Sequence, residues 1–268
     1  MPASGAVTRN TLRQQIADAL RDEVLAGRLL PGQEFTVKQI AEQYGVSATP
    51  VREALVDLSA QDLLDSDQHR GFRVHQFSVA DFRGMVEARA LIVDAVFRTM
   101  DDDGTATRGT AGGGAPTSGT ADSGAPTSEA GGRPLAVVAQ GAALVSVRRR
   151  AEAAARAARA GDLTILIGYD LRFWRELCAL VANRYVAEFL DRLRVQEWVF
   201  SVPFLRAEAA EAEAAREREA RSPEWLWNGY ESLTDALTLG DVAAVRTVVA
   251  DYDAHSLRWA DRLERLRK

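Results

Sequence analysis

The sequence predicts a mainly α protein: a small N-terminal module of three helices and a hairpin, then an all-helical bundle interrupted by a disordered loop. Three observations carry this. From Ser78 onward, apolar residues recur at helical spacing over almost the whole chain. Before that point the helical pattern is short and punctuated by Gly27, Gly32 and Gly45, and it ends in two apolar-alternating runs around "QHRG". Between the two parts of the bundle, residues 101–134 contain no aromatic and nothing apolar larger than alanine.

Residues 11–26, "TLRQQIADALRDEVLA", place Leu12, Ile16, Ala19, Leu20 and Val24 on one face of an amphipathic helix. Gly27 and "LLPG" stop it. Thr36 then caps "VKQIAEQY", with Gln39 three residues on as in a capping box. In "YGVSATPVREAL", residues 44–55, Gly45 ends that helix and Ser47 or Thr49 caps the next. Pro50 falls in the first turn, where its missing N–H costs little. The runs "LLDSD" and "GFRVHQF" then suit a small hairpin.

Ser78 and Asp81 occupy capping positions at the start of a helix expected to end near Met100. Further helices are expected over 135–160, 163–181, 184–200, 204–221, 224–239 and 241–266, with Asp162 and Asp241, each directly after a glycine, as helix starts. The segment 101–134, in which "GAPTS" occurs twice, cannot bury enough surface to offset its ordering entropy. It reads as a disordered insertion between two helices of one domain. The expected domains are therefore 9–77 and 78–266, the second carrying the 101–134 insertion.

Composition removes several function classes. A net charge of −5 argues against a general electrostatic sponge for nucleic acid or anionic lipid. Lys38 and Lys268 are the only lysines, so a lysine-bound pyridoxal enzyme is not expected. The single cysteine, Cys178, cannot pair within the chain and suits a reducing compartment. The start has no apolar h-region, and the longest apolar run, 135–147, is broken by Gln140 and too short to span a bilayer. A cytoplasmic protein with no membrane partner is expected. No nucleophile–base pair or phosphate loop supports an enzyme, and the glycines at 112–114 follow no strand.

A helix-turn-helix followed by a two-stranded wing is a DNA-binding arrangement, the second helix entering the major groove. At "LLPGQEFTVKQIAEQYGVSATPVREALVDLSAQDLLDSDQHRGFRV" the chain resembles the winged-helix domain of the GntR family of bacterial transcription regulators, with "PG", "VS-TPVREAL" and "RGFRV" in family order and spacing. The resemblance implies a double-stranded DNA operator as partner. It places Arg52 against guanine or phosphate, and Ser47 and Thr49, ahead of and beside Pro50, at a phosphate. Thr36 and Lys38 at the preceding helix start join this face, and His69, Arg70 and Gly71 form the wing tip that meets the minor groove. Where the family has arginine between the serine and the threonine, this chain has Ala48, which removes one contact. The alternative for Arg52 is an ion pair with Glu53 or Asp57. Residues 1–80 hold eight Arg and Lys against ten Asp and Glu, so binding must depend on local placement and dimer avidity.

The later helices resemble the all-helical, usually homodimeric ligand-sensing (FCD-like) domain of the FadR-type GntR subfamily. "AGDLTILIGYDLRFW", "ANRYVAEFLDRLR" and "GYESLTDALTLGDVAAVRTVVADYDAH" carry the resemblance. In many members one aspartate and three histidines bind a divalent metal that holds a carboxylate effector. Here Asp170 is kept, while the histidine positions are Trp174, Tyr230 and Tyr252. Neither indole nor neutral phenol makes a metal site, so no metal or other cofactor is expected. Two readings then stand open. In one, Asp170, Trp174, Tyr230 and Tyr252, with Arg89 as an anion partner, line a pocket for a small effector, an organic acid or an apolar metabolite. In the other, the aromatics fill the old cavity as core, and the protein regulates without an effector. The leading expectation is a homodimeric, sequence-specific DNA-binding regulator, a repressor, with a metal-free sensing domain; an enzyme using the bundle is the competing class.

Overall fold

The computed structural model describes residues 4–67, 71–109, 142–214 and 226–266. Contacts divide the chain into two units, Met1–Phe82 with Arg192–Arg221, and Arg83–Asp191 with Ser222–Lys268.

The first unit opens with α1, Ser4–Leu25, whose buried face carries Ile16, Ala17, Leu20, Val24 and Leu25. The short strand β1, Glu34–Phe35, leads into α2, Val37–Tyr44. Thr36 caps α2 through a complete capping box: its hydroxyl accepts from the Gln39 N–H, and the Gln39 side chain accepts from the Thr36 N–H at 2.8 Å. Gly45 closes α2 in the left-handed region. After a two-residue turn α3, Ala48–Ser59, packs against α1 and α2 through Val51, Ala54, Leu55 and Leu58. The wing is β2, Leu64–Asp67, antiparallel to β3, Gly71–Val74.

Expectation and structure differ at several places, and the helix expected over 224–239 begins only at Tyr230, with 226–229 outside any helix. The sheet has three strands in the order β1-β3-β2, because Phe35 pairs with Phe72 and Glu34 with Arg73. Two residues are too few to show alternation, so β1 left no periodic signal. The helices expected over 184–200 and 204–221 form one helix, α7, Arg184–Ala214, with Pro203 inside it. A proline inside a helix costs one backbone hydrogen bond and a ring clash. Phe200, Val202 and Leu205, all buried, supply the packing that holds the helix through it. The helix expected to end near Met100 runs on to Gly109 as α4, Val79–Gly109, while residues 110–134 of the expected insertion lie outside the described residues.

Within the first unit the second part of α7 is held on the reader module. The Gln196 side-chain amide donates to the Gln61 carbonyl at 2.9 Å and lies 3.4 Å from the Asp62 carboxyl, and Phe200 stacks on Phe82. Asp62 takes a left-handed φ of 57° at the turn that follows α3.

At the end of the first unit's opening segment Ser78 and Asp81 form a reciprocal cap at the start of α4, most of which lies in the second unit, with the Ser78 N–H 2.7 Å from the Asp81 carboxyl. These bonds hold the Asp81 carboxyl below its ordinary range. Helices α5, Ala142–Ala160, and α6, Leu163–Val181, pack along each other, α5 burying an alanine-rich face and α6 larger residues such as Leu166, Ile167 and Phe173. Asp162 caps α6 by accepting from the Ile165 N–H. Helix α8, Tyr230–Leu239, packs on α5 and on α9, Val242–Leu266, which Asp241 starts by accepting from the Ala244 N–H. Arg148 and Arg150 of "RRR" engage Asp235 and Glu176. Among the described residues no helix is long and apolar enough to cross a membrane.

Gly71 permits the β1–β3 pairing. Its φ is +97°, and a Cβ there would stand 2.7 Å from the Phe35 carbonyl oxygen. Gly71→Ala is expected to destabilise the chain by about 1–3 kcal/mol, from the strained backbone and the displaced strand. Equilibrium urea unfolding measures it, and an unchanged midpoint would contradict this account of the wing.

Candidate functional site

At the N-terminal end of α3, Ser47, Ala48, Thr49 and Arg52 are exposed and Pro50 is half-buried. Ser47 is the N-cap residue, extended at φ −72° and ψ 157°, and its side chain makes no cap hydrogen bond. The first-turn N–H groups of α3 therefore receive no acceptor from their own cap, in contrast to α2. Arg52 is exposed beside the face of α3 that buries Val51 and Leu55, and among the described residues it makes no ion pair. The carboxylate that could have claimed it, Asp57, stands 3.2 Å from Arg13.

Thr36 and Lys38 are also exposed, with Lys38 3.8 Å from Glu42. Gly71, the first residue of β3, pairs with Asp67 at the loop end of the wing, while His69 and Arg70 lie outside the described residues. Across the wing, Asp65 meets Arg73 at 3.0 Å and the His75 ring at 2.6 Å. Burial works against its charge, but the hydrogen bonds from His75 and Arg73 prevail and hold the Asp65 carboxyl below its ordinary range.

The second site is in the bundle. Asp170 on α6 is fully buried, and one carboxyl oxygen, Oδ1, accepts both the Tyr230 hydroxyl at 2.7 Å and the Trp174 indole N–H at 3.1 Å. Trp174 stands one turn beyond Asp170 on the same helix, and Tyr230 begins α8, so α6 and α8 are joined through this oxygen. The Tyr252 ring lies 5.2 Å from that of Trp174, and its hydroxyl accepts from Arg89 at 3.1 Å. Arg89 also donates to Asp253 at 2.7 and 3.0 Å and to Ser256 at 3.3 Å, with its guanidinium 4.2 Å over the Tyr252 ring. Burial raises the Asp253 carboxyl above its ordinary range, although the Arg89 charge opposes this.

All five bundle residues expected at a ligand site thus come together: Arg89, Asp170, Trp174, Tyr230 and Tyr252. They do so as two hydrogen-bonded groups, Asp170 with Trp174 and Tyr230, and Arg89 with Tyr252, joined by ring contacts. Only Trp174 borders the cleft that lies alongside, whose wall includes Phe97, Leu177, Cys178 and Leu237. Burial, with help from the Asp191 charge, pushes the Cys178 thiol up to about 12, so it stays protonated.

One further member, read from the sequence as packing three residues before Tyr230, was not among the residues expected at the site. Trp227 has its ring 4.7 Å from Tyr230, 4.9 Å from Tyr252 and 6.2 Å from Trp174, and its N–H donates to Asp251 at 3.1 Å. The signal for it is Gly229: a Cβ there would stand 2.5 Å from the Trp227 ring, so a glycine two residues later lets the indole fold back.

A divalent ion does not suit this donor set. Asp170 is the one carboxyl among three aromatic side chains, and its Oδ1 already accepts two hydrogen bonds. Among the described residues no group of three or more His, Cys, Asp or Glu is placed to hold a metal.

A winged helix-turn-helix with an all-α domain defines a class of protein built to read DNA, and comparison with known proteins gives its family. Residues 12–74 match the model described as bacterial regulatory proteins, gntR family, and residues 133–254 match the FCD domain. The chain belongs to the GntR family and carries an FCD domain. The probable D-xylose utilization operon transcriptional repressor of Paenarthrobacter nicotinovorans is 39% identical over 89 residues, covering 33% of this chain and 39% of that protein. The HTH-type transcriptional regulator McbR of Escherichia coli is 36% identical over 74 residues, covering 28% and 34%. The chain thus spans well under half the length of these curated relatives. The solved structure of E. coli McbR/YncC covers 94% of this chain and 98% of its own, with TM-score 0.62 at 20% identity. A transcriptional regulator GntR from Rhodococcus sp. RHA1 covers 91% and 97%, with TM-score 0.55 at 17% identity. These likenesses establish the fold.

Two measurements check the cluster. Tyr230→Phe takes one donor from Asp170 and is expected to cost about 1–3 kcal/mol in chemical denaturation. The melting temperature of the unmodified chain should be the same with added Mn²⁺ or Zn²⁺ as with a chelator; a rise with either metal would contradict the donor analysis.

Proposed function

We propose that this chain is a homodimeric, sequence-specific DNA-binding transcriptional regulator of the cytoplasm, acting as a repressor, whose FCD domain responds to a small organic molecule without a resident metal. The single observation that carries the DNA-reading part is Arg52: exposed, without an ion pair among the described residues, on a helix whose other face is locked into the core. A guanidinium in that state can make a bidentate contact to a guanine edge or meet a phosphate. The Ser47 hydroxyl, Thr49 and the first-turn N–H groups of α3 are placed to take a phosphate, as helix N-termini do. His69, Arg70 and Gly71 belong to the same reading as the wing contact, and Thr36 and Lys38 as the contact from the start of α2. The family match and the repressor named among the relatives support this reading. It contains no catalytic step and no membrane partner.

Two copies are needed because one module presents few positive charges. Eight Arg and Lys against ten Asp and Glu over residues 1–80 give little nonspecific attraction, so affinity must come from paired half-sites. An effector in the FCD domain that prefers one conformation of the dimer would shift the operator affinity by its differential binding.

DNase footprinting upstream of the chain's own gene, at two salt concentrations, is the direct test. A protected region is expected, weakening steeply with salt. Absence of any protection would end the regulator reading. Arg52→Ala should weaken operator binding by about 1–3 kcal/mol with dimerisation intact. Ala48→Arg, which supplies the contact the family usually has, is expected to tighten binding to the same DNA; equal affinity for both proteins would remove position 48 from the interface.

A further inference from the structure

Alongside the closed Asp170 cluster, a cleft of about 530 Å³, including its open mouth, lies within the second unit. Its walls come from α4, α6, the start of α7, α8 and α9. No polar atom faces it. The two groups that could have supplied one are both turned away or neutral. The Trp174 N–H is directed to Asp170 at 3.1 Å, so its indole offers the cleft only carbon. The Cys178 sulfur remains a protonated thiol. Arg89, the cation expected to meet an anionic effector, does not line the cleft and is held by Asp253, Tyr252 and Ser256. A carboxylate entering here would lose its water and gain no donor, which is strongly unfavourable.

We propose that this cleft is the effector site, and that its ligand is an uncharged, carbon-rich molecule of one or two aromatic rings or an equivalent branched hydrocarbon. This deepens the effector reading above and rests on it. The cleft is walled by helices on several sides, which suits insertion of a compact molecule rather than a flat protein surface. Phe97 and Trp174 contribute aromatic carbon to the wall, against which an aromatic ligand packs. At Phe97 the Arg246 guanidinium lies 4.9 Å over the ring and 3.7 Å from Asp94, so a charged pair borders an apolar interior. The inherited metal-and-carboxylate chemistry is replaced by shape and desolvation. In this division of labour the aromatic cluster is the rigid wall, and the selective step is exclusion of charge.

The test is a fluorescence titration of the full-length chain with 1-naphthylamine, a two-ring probe that is neutral at pH 7. Saturable binding at one probe per chain is expected, with naphthalene displacing the probe and sodium benzoate failing to do so. Ala182 and Val249 line the mouth and are half-buried, so Ala182→Phe and Val249→Phe obstruct the cleft without entering the core. Each should weaken probe binding at least tenfold, with helical circular dichroism and melting temperature retained. Unsaturable binding, or binding that both variants leave unchanged, would overturn the proposal. So would displacement by benzoate as effective as by naphthalene. Probe binding that disappears on dilution to monomer would assign the cleft to a second copy of the chain and overturn it as well. The titration contains no DNA. A chain that binds the probe and protects no DNA refutes the regulator reading alone, and the opposite result refutes the cleft alone.

Discussion

A fully buried carboxyl group must find donors, and the C-terminal unit is organised around that demand at Asp170. Left without partners, such a group would forfeit a free energy that is a sizeable fraction of a domain's net stability. Trp174 and Tyr230 answer it from two different helices, converging on one oxygen. Their rings then fix Trp227 and Tyr252, and Tyr252 accepts the hydrogen bond that orients Arg89. A metal would do the same tying together with charge and coordination. Here neutral donors and ring contacts do it, so the scaffold survives the loss of the ligand-bearing histidines. The exchange also has a chemical consequence: the polar groups that would have greeted an anion are spent on each other.

The two helices α2 and α3 use cap chemistry differently. Thr36 closes its helix by a reciprocal bond with Gln39, which is the arrangement of a structural cap. Ser47 leaves its helix start open, and Arg52 follows at the next turn without an ionic partner among the described residues. An unfilled helix start beside an unpaired cation is poorly suited to stability and well suited to an anionic partner.

Much of this was legible in the sequence because it is locally encoded. The capping residues Thr36, Ser78, Asp162 and Asp241 stand where short-range hydrogen bonding demands them, and the helices begin there. Asp170, Trp174, Tyr230 and Tyr252 could be gathered into one cluster from the family resemblance alone. What was not legible depends on tertiary packing. The strand Glu34–Phe35 exists only because β3 offers it an edge. Helix α7 passes Pro203 because buried neighbours hold it, although proline locally argues for a break. Nor does chain order reveal that Arg192–Arg221 groups with the reader module. The apolar cleft was invisible for a related reason: its lining is indistinguishable from core until one side is seen to be open. The sequence did hint at Trp227 through Gly229, but a glycine before a helix has commoner explanations than a ring folded over it.

Lysine is so scarce in this chain that its placement defines a chemical address. Nearly all cationic side chains are arginine, which does not react with the acylating reagents or acyl-transfer enzymes that modify amines. Lys38 is 85% exposed at the first turn of α2, within the proposed reading face, and the only other lysine is Lys268. Acylation of Lys38 would remove a positive charge from a module that has few to spare, while the aromatic cluster offers such reagents no amine at all. A covalent mark on one nitrogen would therefore act on DNA affinity and leave the bundle chemically untouched.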